Sequence, residues 1–196
     1  MSGDRMTYVG KDRLATLTGD VHVADTDMDL TTHNLIYDVG RRVATYTGGG
    51  KLVSRTENNT LTSGRGSYLA AAHTFVFSDD VVLHGPDRTI TSDTLHYTTT
   101  TGVARFLGPT TIVSGGTRMW CSRGTYDTRK DIGNFSRGAR ILLKDGQELM
   151  LPADQVRLSA SALDASLVEI QKANEAGAQL FAPLLMCMPA YGAMVF

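Results

Sequence analysis

Five tyrosines, Tyr8, Tyr37, Tyr68, Tyr97 and Tyr126, stand 29, 31, 29 and 29 residues apart, and their neighbours repeat with them. Thr32-His33-Asn34-Leu35-Ile36-Tyr37 aligns with Ser92-Asp93-Thr94-Leu95-His96-Tyr97, and Ala153 to Leu158 makes one more copy, with Leu158 in the tyrosine place. A chain with such a period folds as a stack of like units, because a single unit cannot bury its apolar face alone.

Alignment on the tyrosine yields columns of like residues. Nine residues after it stand Leu17, Tyr46, Phe77, Phe106 and Phe135, and fifteen after it Val23, Leu52, Leu83, Ile112 and Ile141. Seven before it stand Leu30, Leu61, Ile90, Met119 and Leu151; two before it, Leu35, Gly66, Leu95, Gly124 and Val156. Five before it the residue is always small: Thr32, Ser63, Ser92, Cys121, Ala153.

Within each copy the apolar residues alternate with period two, as Phe75 and Phe77 do, which is the signature of a strand. Turn-forming clusters separate the runs: Asp25-Thr26-Asp27, Glu57-Asn58-Asn59, Gly85-Pro86-Asp87, Gly115-Gly116 and Asp145-Gly146, with a second series after each tyrosine. Each unit is therefore two strands and two turns. The expectation is an all-β, elongated repeat domain over residues 1–158, about ten strands from five units of about 29 residues, with its core running along its length.

The columns seven and five before the tyrosine share one face of a strand. Those two before and at the tyrosine share the other, since an odd number of residues separates the pairs. Both pairs are mostly apolar, so a β-bulge that turns both inward is expected in every copy.

Composition narrows the function. With 19 basic and 20 acidic residues the net charge is −1, and no basic face for nucleic acid is present. Cys121 and Cys187 are too few for a disulfide framework or a four-cysteine metal site, and buried free thiols are favoured over a single bridge. Met1 to Tyr8 has neither the basic nor the apolar region of a secretory signal. The five histidines have no metal-binding spacing, no GxSxG is present, and Gly48-Gly49-Gly50 reads as a turn. Asp79-Asp80 reads as a solvated turn between strands, and Asp93 and Asp154, at one repeat position, read as turn or bulge residues. No catalytic residue, metal site or cofactor is expected. The aromatic column reads either as plain core packing or as an apolar trough that admits a lipid chain, two readings that are compatible in an open-ended fold.

The repeat stops at Leu158. Ser161 to Gln179 is expected to be a helix, with Ser161 as N-cap and Leu163, Leu167 and Ile170 at helical spacing. Leu180 to Phe196 is uncharged, and Pro183, Pro189 and Gly192 interrupt it; a tail that caps the open end of the stack is preferred to a membrane span.

Three segments, Gly19-Asp20-Val21-His22-Val23, Leu30 to Tyr37 and Ile90 to Tyr97, resemble the OstA-like, LptA-type periplasmic domains of lipopolysaccharide transport. The resemblance runs from about Thr7 to Leu158. It implies an open β-jellyroll, two sheets folded into a V with lipid A acyl chains between them, a periplasmic location, and pairing through exposed edge strands with related domains or head to tail with itself. Carried over by position, it makes Leu17, Val23, Tyr46, Leu52, Phe77, Leu83, Phe106, Ile112, Phe135 and Ile141 the lipid-facing candidates. The resemblance thus implies a lipopolysaccharide-binding bridge module rather than an enzyme. The rivals are a β-solenoid structural or adhesive protein that binds no lipid, since the period also suits a parallel β-helix rung, and a carbohydrate-active β-helix enzyme, for which the columns supply no carboxylates.

Overall fold

A computed structural model of the chain describes residues 1–24, 28–55, 58–86, 88–127, 132–136, 139–150 and 156–159. The expected helix and apolar tail beyond Ser159, Cys187, Asp154 and the Asp25-Thr26-Asp27 turn lie outside these residues. The strands are β1 (Arg5–Val9), β2 (Leu14–Ala24), β3 (Met28–Asp38), β4 (Val43–Ser54), β5 (Asn59–Leu69), β6 (Thr74–His84), β7 (Arg88–Thr98), β8 (Val103–Ser114), β9 (Thr117–Asp127), β10 (Ile132–Ser136), β11 (Arg140–Leu142), β12 (Glu148–Met150) and β13 (Val156–Ser159). They form one sheet of 13 strands in the order β1 to β10 and then β13, with β11 between β9 and β12. Every pairing is antiparallel, which excludes the parallel β-helix rung.

The expected bulge recurs. Register shifts fall at Thr18/Val21, Thr32/Leu35, Thr47/Gly50, Thr62/Arg65, Ser78/Val81, Ser92/Thr94 and Leu107/Thr110. In each pairing the extra residue is on β2, β4, β6 or β8. The extra length is taken up by left-handed backbone at Gly19 and Asp20, Gly48 and Gly49, Asp79 and Asp80, and Gly108. The shifts line up across the sheet as a crease, which divides one continuous sheet into two facing leaves, the arms of the V. Inward residues of β3, for example, are Met28 and Thr32 on one leaf and Leu35 on the other, with the change of parity between them.

Two sequence readings are corrected here. Gly48-Gly49-Gly50 lies inside β4 and Asp79-Asp80 inside β6, so neither is a turn between strands. Turn-forming residues were needed mid-strand because the crease demands positive φ, which glycine and aspartate tolerate better than most. Asp93 stands opposite the β8 bulge, between Ser92 and Thr94, and its side chain lies beside Gly108.

The column of small residues is explained by the same crease. Where the ladder breaks, the Ser63 and Ser92 hydroxyls donate to the carbonyls two residues on, of Arg65 and Thr94, at 2.8 and 3.2 Å, and the Thr32 hydroxyl donates to the Gly49 carbonyl across the crease at 2.7 Å. Small hydroxyl side chains at this place thus reach carbonyls at the break in the ladder. Cys121 fills this place as a buried free thiol, its pKa pushed up to about 11 by burial.

Candidate functional site: an apolar cavity between the leaves

The leaves enclose a cavity of about 280 Å³ at the N-terminal end of the stack. Val23, Met28, Leu30 and Leu52 line it from one leaf, and Leu35, Tyr37, Ala44, Tyr46, Gly66, Ser67, Tyr68, Ala70, Phe75 and Phe77 from the other, with Met1 at its edge. No lining side chain carries a charge at neutral pH. Burial raises the pKa of both Tyr46 and Tyr68, in Tyr46 against the hydrogen bond to Ser63 and in Tyr68 against the nearby Arg42, so both phenols stay neutral.

Local sequence shapes the walls. The Tyr46 ring lies against Gly50 and Gly66, where a Cβ would overlap it. Tyr68 and Phe75, paired across β5 and β6, have ring centroids 4.5 Å apart, and Phe75 stacks on Phe77 at 5.8 Å. This aromatic group ends the cavity. Behind it a space of only about 20 Å³ remains, bounded by Phe75, Phe77, Leu83 and Tyr97 among others.

Of the ten lipid-facing candidates, the fold brings Val23, Tyr46, Leu52 and Phe77 to the cavity. Leu83 lines the small space behind it. Leu17, Phe106, Ile112, Phe135 and Ile141 face inward too, but they are packed core, with Phe106 at 0 % exposure. Sequence reasoning missed Tyr37 and Tyr68, because the tyrosine column served only as the ruler for the repeat. It also missed Phe75, Ala44 and Leu35, which the period-two alternation places on the same face as Phe77 and Tyr46.

The cavity suits an apolar chain. It holds no nucleophile beside a base, and among the described residues no three histidine, cysteine or carboxylate side chains converge on a metal position. No helix among them is long and apolar enough to cross a membrane.

None of the curated proteins compared matches the chain. Among solved structures, LptH, the LptA-homologous periplasmic component of the conserved lipopolysaccharide transport device of Pseudomonas aeruginosa, is similar at 17% identity and a TM-score of 0.45, over 50% of this chain and 73% of that one. The family model described as OstA-like protein matches residues 1–93, the stretch that runs from β1 into β7 and supplies every residue lining the cavity, so this part of the chain is similar to the OstA-like proteins.

Proposed function

We propose that the chain binds lipopolysaccharide by its acyl chains, as a periplasmic bridge module that passes the lipid toward the outer membrane, and that it is not an enzyme. The observation that carries this is the cavity of about 280 Å³, walled by apolar side chains from both leaves. Ligand sites run from roughly 300 to 1,000 Å³. In this conformation the cavity therefore takes part of a lipid's tails, and the rest lies along the opening between the leaves. The match of residues 1–93 to the OstA-like family model supports the same reading.

Partners follow from the edge. All five residues of β1 are exposed, and among the described residues β1 pairs along its length on one side only, with β2. An unblocked edge of this kind pairs with another strand. The partner is a related jellyroll domain or a second copy bound head to tail.

The test is site-specific photocrosslinking in cells. A benzoylphenylalanine at Tyr37, on the cavity wall, is expected to crosslink lipopolysaccharide, and one at Val76, whose neighbours Phe75 and Phe77 point inward, is not. Equal crosslinking at both positions, or none at Tyr37 in folded protein, overturns the reading.

A further inference from the structure

The turns that follow each tyrosine form one rim of the opening. Five residues after the tyrosine stand Arg13, Arg42, His73 and Gly102, and all four are left-handed, with φ of 55°, 57°, 48° and 71°. Glycine adopts this conformation freely, and the fourth copy uses it; arginine and histidine adopt it at a cost. The turns are laced by backbone bonds. Val39 N–H donates to the Arg13 carbonyl at 2.9 Å, Ala70 N–H to that of Arg42 at 3.1 Å, and Thr99 N–H to that of His73 at 2.9 Å. Like positions are thus held in a row two strands apart, roughly 10 Å.

The basic row and the cavity cover the same units. Arg42 is bonded through its carbonyl to Ala70, which lines the cavity, and its charge acts on Tyr68, which also lines it. The row ends in Gly102, beside the units whose interior is packed core. Arg13, Arg42 and His73 are exposed, and none of their side chains makes an ion pair among the described residues, whereas Asp38 on the same rim is taken up by Arg41 at 3.7 Å. Across the first two turns, Lys11, Arg13, Arg41 and Arg42 face only Asp12 and Asp38, which leaves an excess of positive charge.

We propose that Arg13, Arg42 and His73 form a headgroup site for an anionic amphiphile, holding its phosphate groups at the rim while its chains enter the cavity. The proposal rests on the lipid-binding reading above and adds what that reading leaves open, namely which residues select the headgroup and that the selection is for negative charge. Residues that keep a strained backbone where glycine would serve mark a function for their side chains.

The test compares 1-oleoyl lysophosphatidic acid with 1-oleoylglycerol, which has the same chain and no phosphate, on the full chain. Two exposed charge contacts favour the phosphate by about ten-fold, and the gap narrows at high salt. Arg13→Gln with Arg42→Gln brings the lysophosphatidic acid down to the affinity of oleoylglycerol and leaves oleoylglycerol unchanged. Arg13→Gly with Arg42→Gly gives the same loss while the melting temperature holds or rises, so unfolding cannot explain it. Equal affinity of wild type for the two lipids overturns the headgroup site but not the cavity. Binding of neither lipid overturns the cavity reading itself. Inorganic phosphate that binds as tightly as the lysophosphatidic acid overturns the lipid as occupant of the rim.

Discussion

The Tyr46 ring rests on the backbone of Gly66 across the β4–β5 pair, and its hydroxyl lies 2.6 Å from Ser63 Oγ. The Ser63 hydrogen goes to the Arg65 carbonyl at 2.8 Å, so Tyr46 is the donor. One aromatic side chain thereby ties the cavity wall to the crease. Gly66 has an ordinary backbone and is required only for the space it leaves. Gly66→Ala is expected to destabilise the protein by about 1–3 kcal/mol through overpacking. Tyr46→Phe is expected to cost about 1 kcal/mol, because Ser63 keeps its other partner. Urea denaturation reads both, and a silent Gly66→Ala would refute the contact.

Gly49 presents the opposite case. A Cβ there meets nothing within 4 Å, but its φ is 99°. Gly49→Ala is expected to cost about 1–2 kcal/mol from backbone conformation alone. Gly10→Ala, at a glycine without positive φ and with only a 3.8 Å contact to Tyr8, serves as the control and should be near neutral. Equal effects at the two positions would mean that the crease does not need left-handed backbone at β4.

Cys121 predicts an alkaline limit. Burial raises its pKa from 9.0 to about 11, so the folded state favours the protonated thiol. The contribution is fully present below pH 9 and is lost as pH rises from there through 11. At about 1.4 kcal/mol per unit it is of the order of 2–3 kcal/mol. Cys121→Ser should flatten the fall in stability over that window. It should also supply the hydroxyl that Thr32, Ser63 and Ser92 contribute in other copies, at little cost near neutral pH. A thiol reagent should label Cys121 in native protein at pH 7 far more slowly than in urea; equal rates would place the thiol at the surface.

Two substitutions separate cavity from core. Ala44 is a half-buried wall residue, and Ala44→Phe is expected to fill the cavity and weaken lipid binding in a folded protein. Phe106→Glu puts a charge at a fully buried position and is expected to unfold the chain, so it reports on folding before it can report on ligand. A folded Phe106→Glu protein, seen by circular dichroism, would contradict this packing.

The β1 edge predicts association that depends on concentration. Met6 and Tyr8, at 65 % and 56 % exposure, pair with Leu17 and Ala15 and so extend the inward columns to the open end. Met6→Lys with Tyr8→Lys is expected to shift sedimentation toward monomer. Unchanged sedimentation would move the interface elsewhere.

Sequence alone determined the repeat, the strands and the recurrence of a bulge, while the antiparallel pairing was settled by the structure against the parallel rung that the same period allows. These are local properties: period two sets which residues share a face, and an odd offset between two apolar pairs can be reconciled only by an irregularity in the strand. The family resemblance supplied the ten candidates by repeat position, and burial in the structure turns their columns inward. The tertiary structure decided which of them meet empty space. Tyr46 and Phe106 occupy one repeat position and carry one sequence signal, yet Tyr46 lines a cavity and Phe106 has none of its surface exposed. The difference lies in what fills the space between the leaves at each unit, namely contacts between residues distant in the chain. For the same reason the crease glycines and aspartates read as turns, since positive φ is visible in residue type while its place within a strand depends on the partners across the sheet.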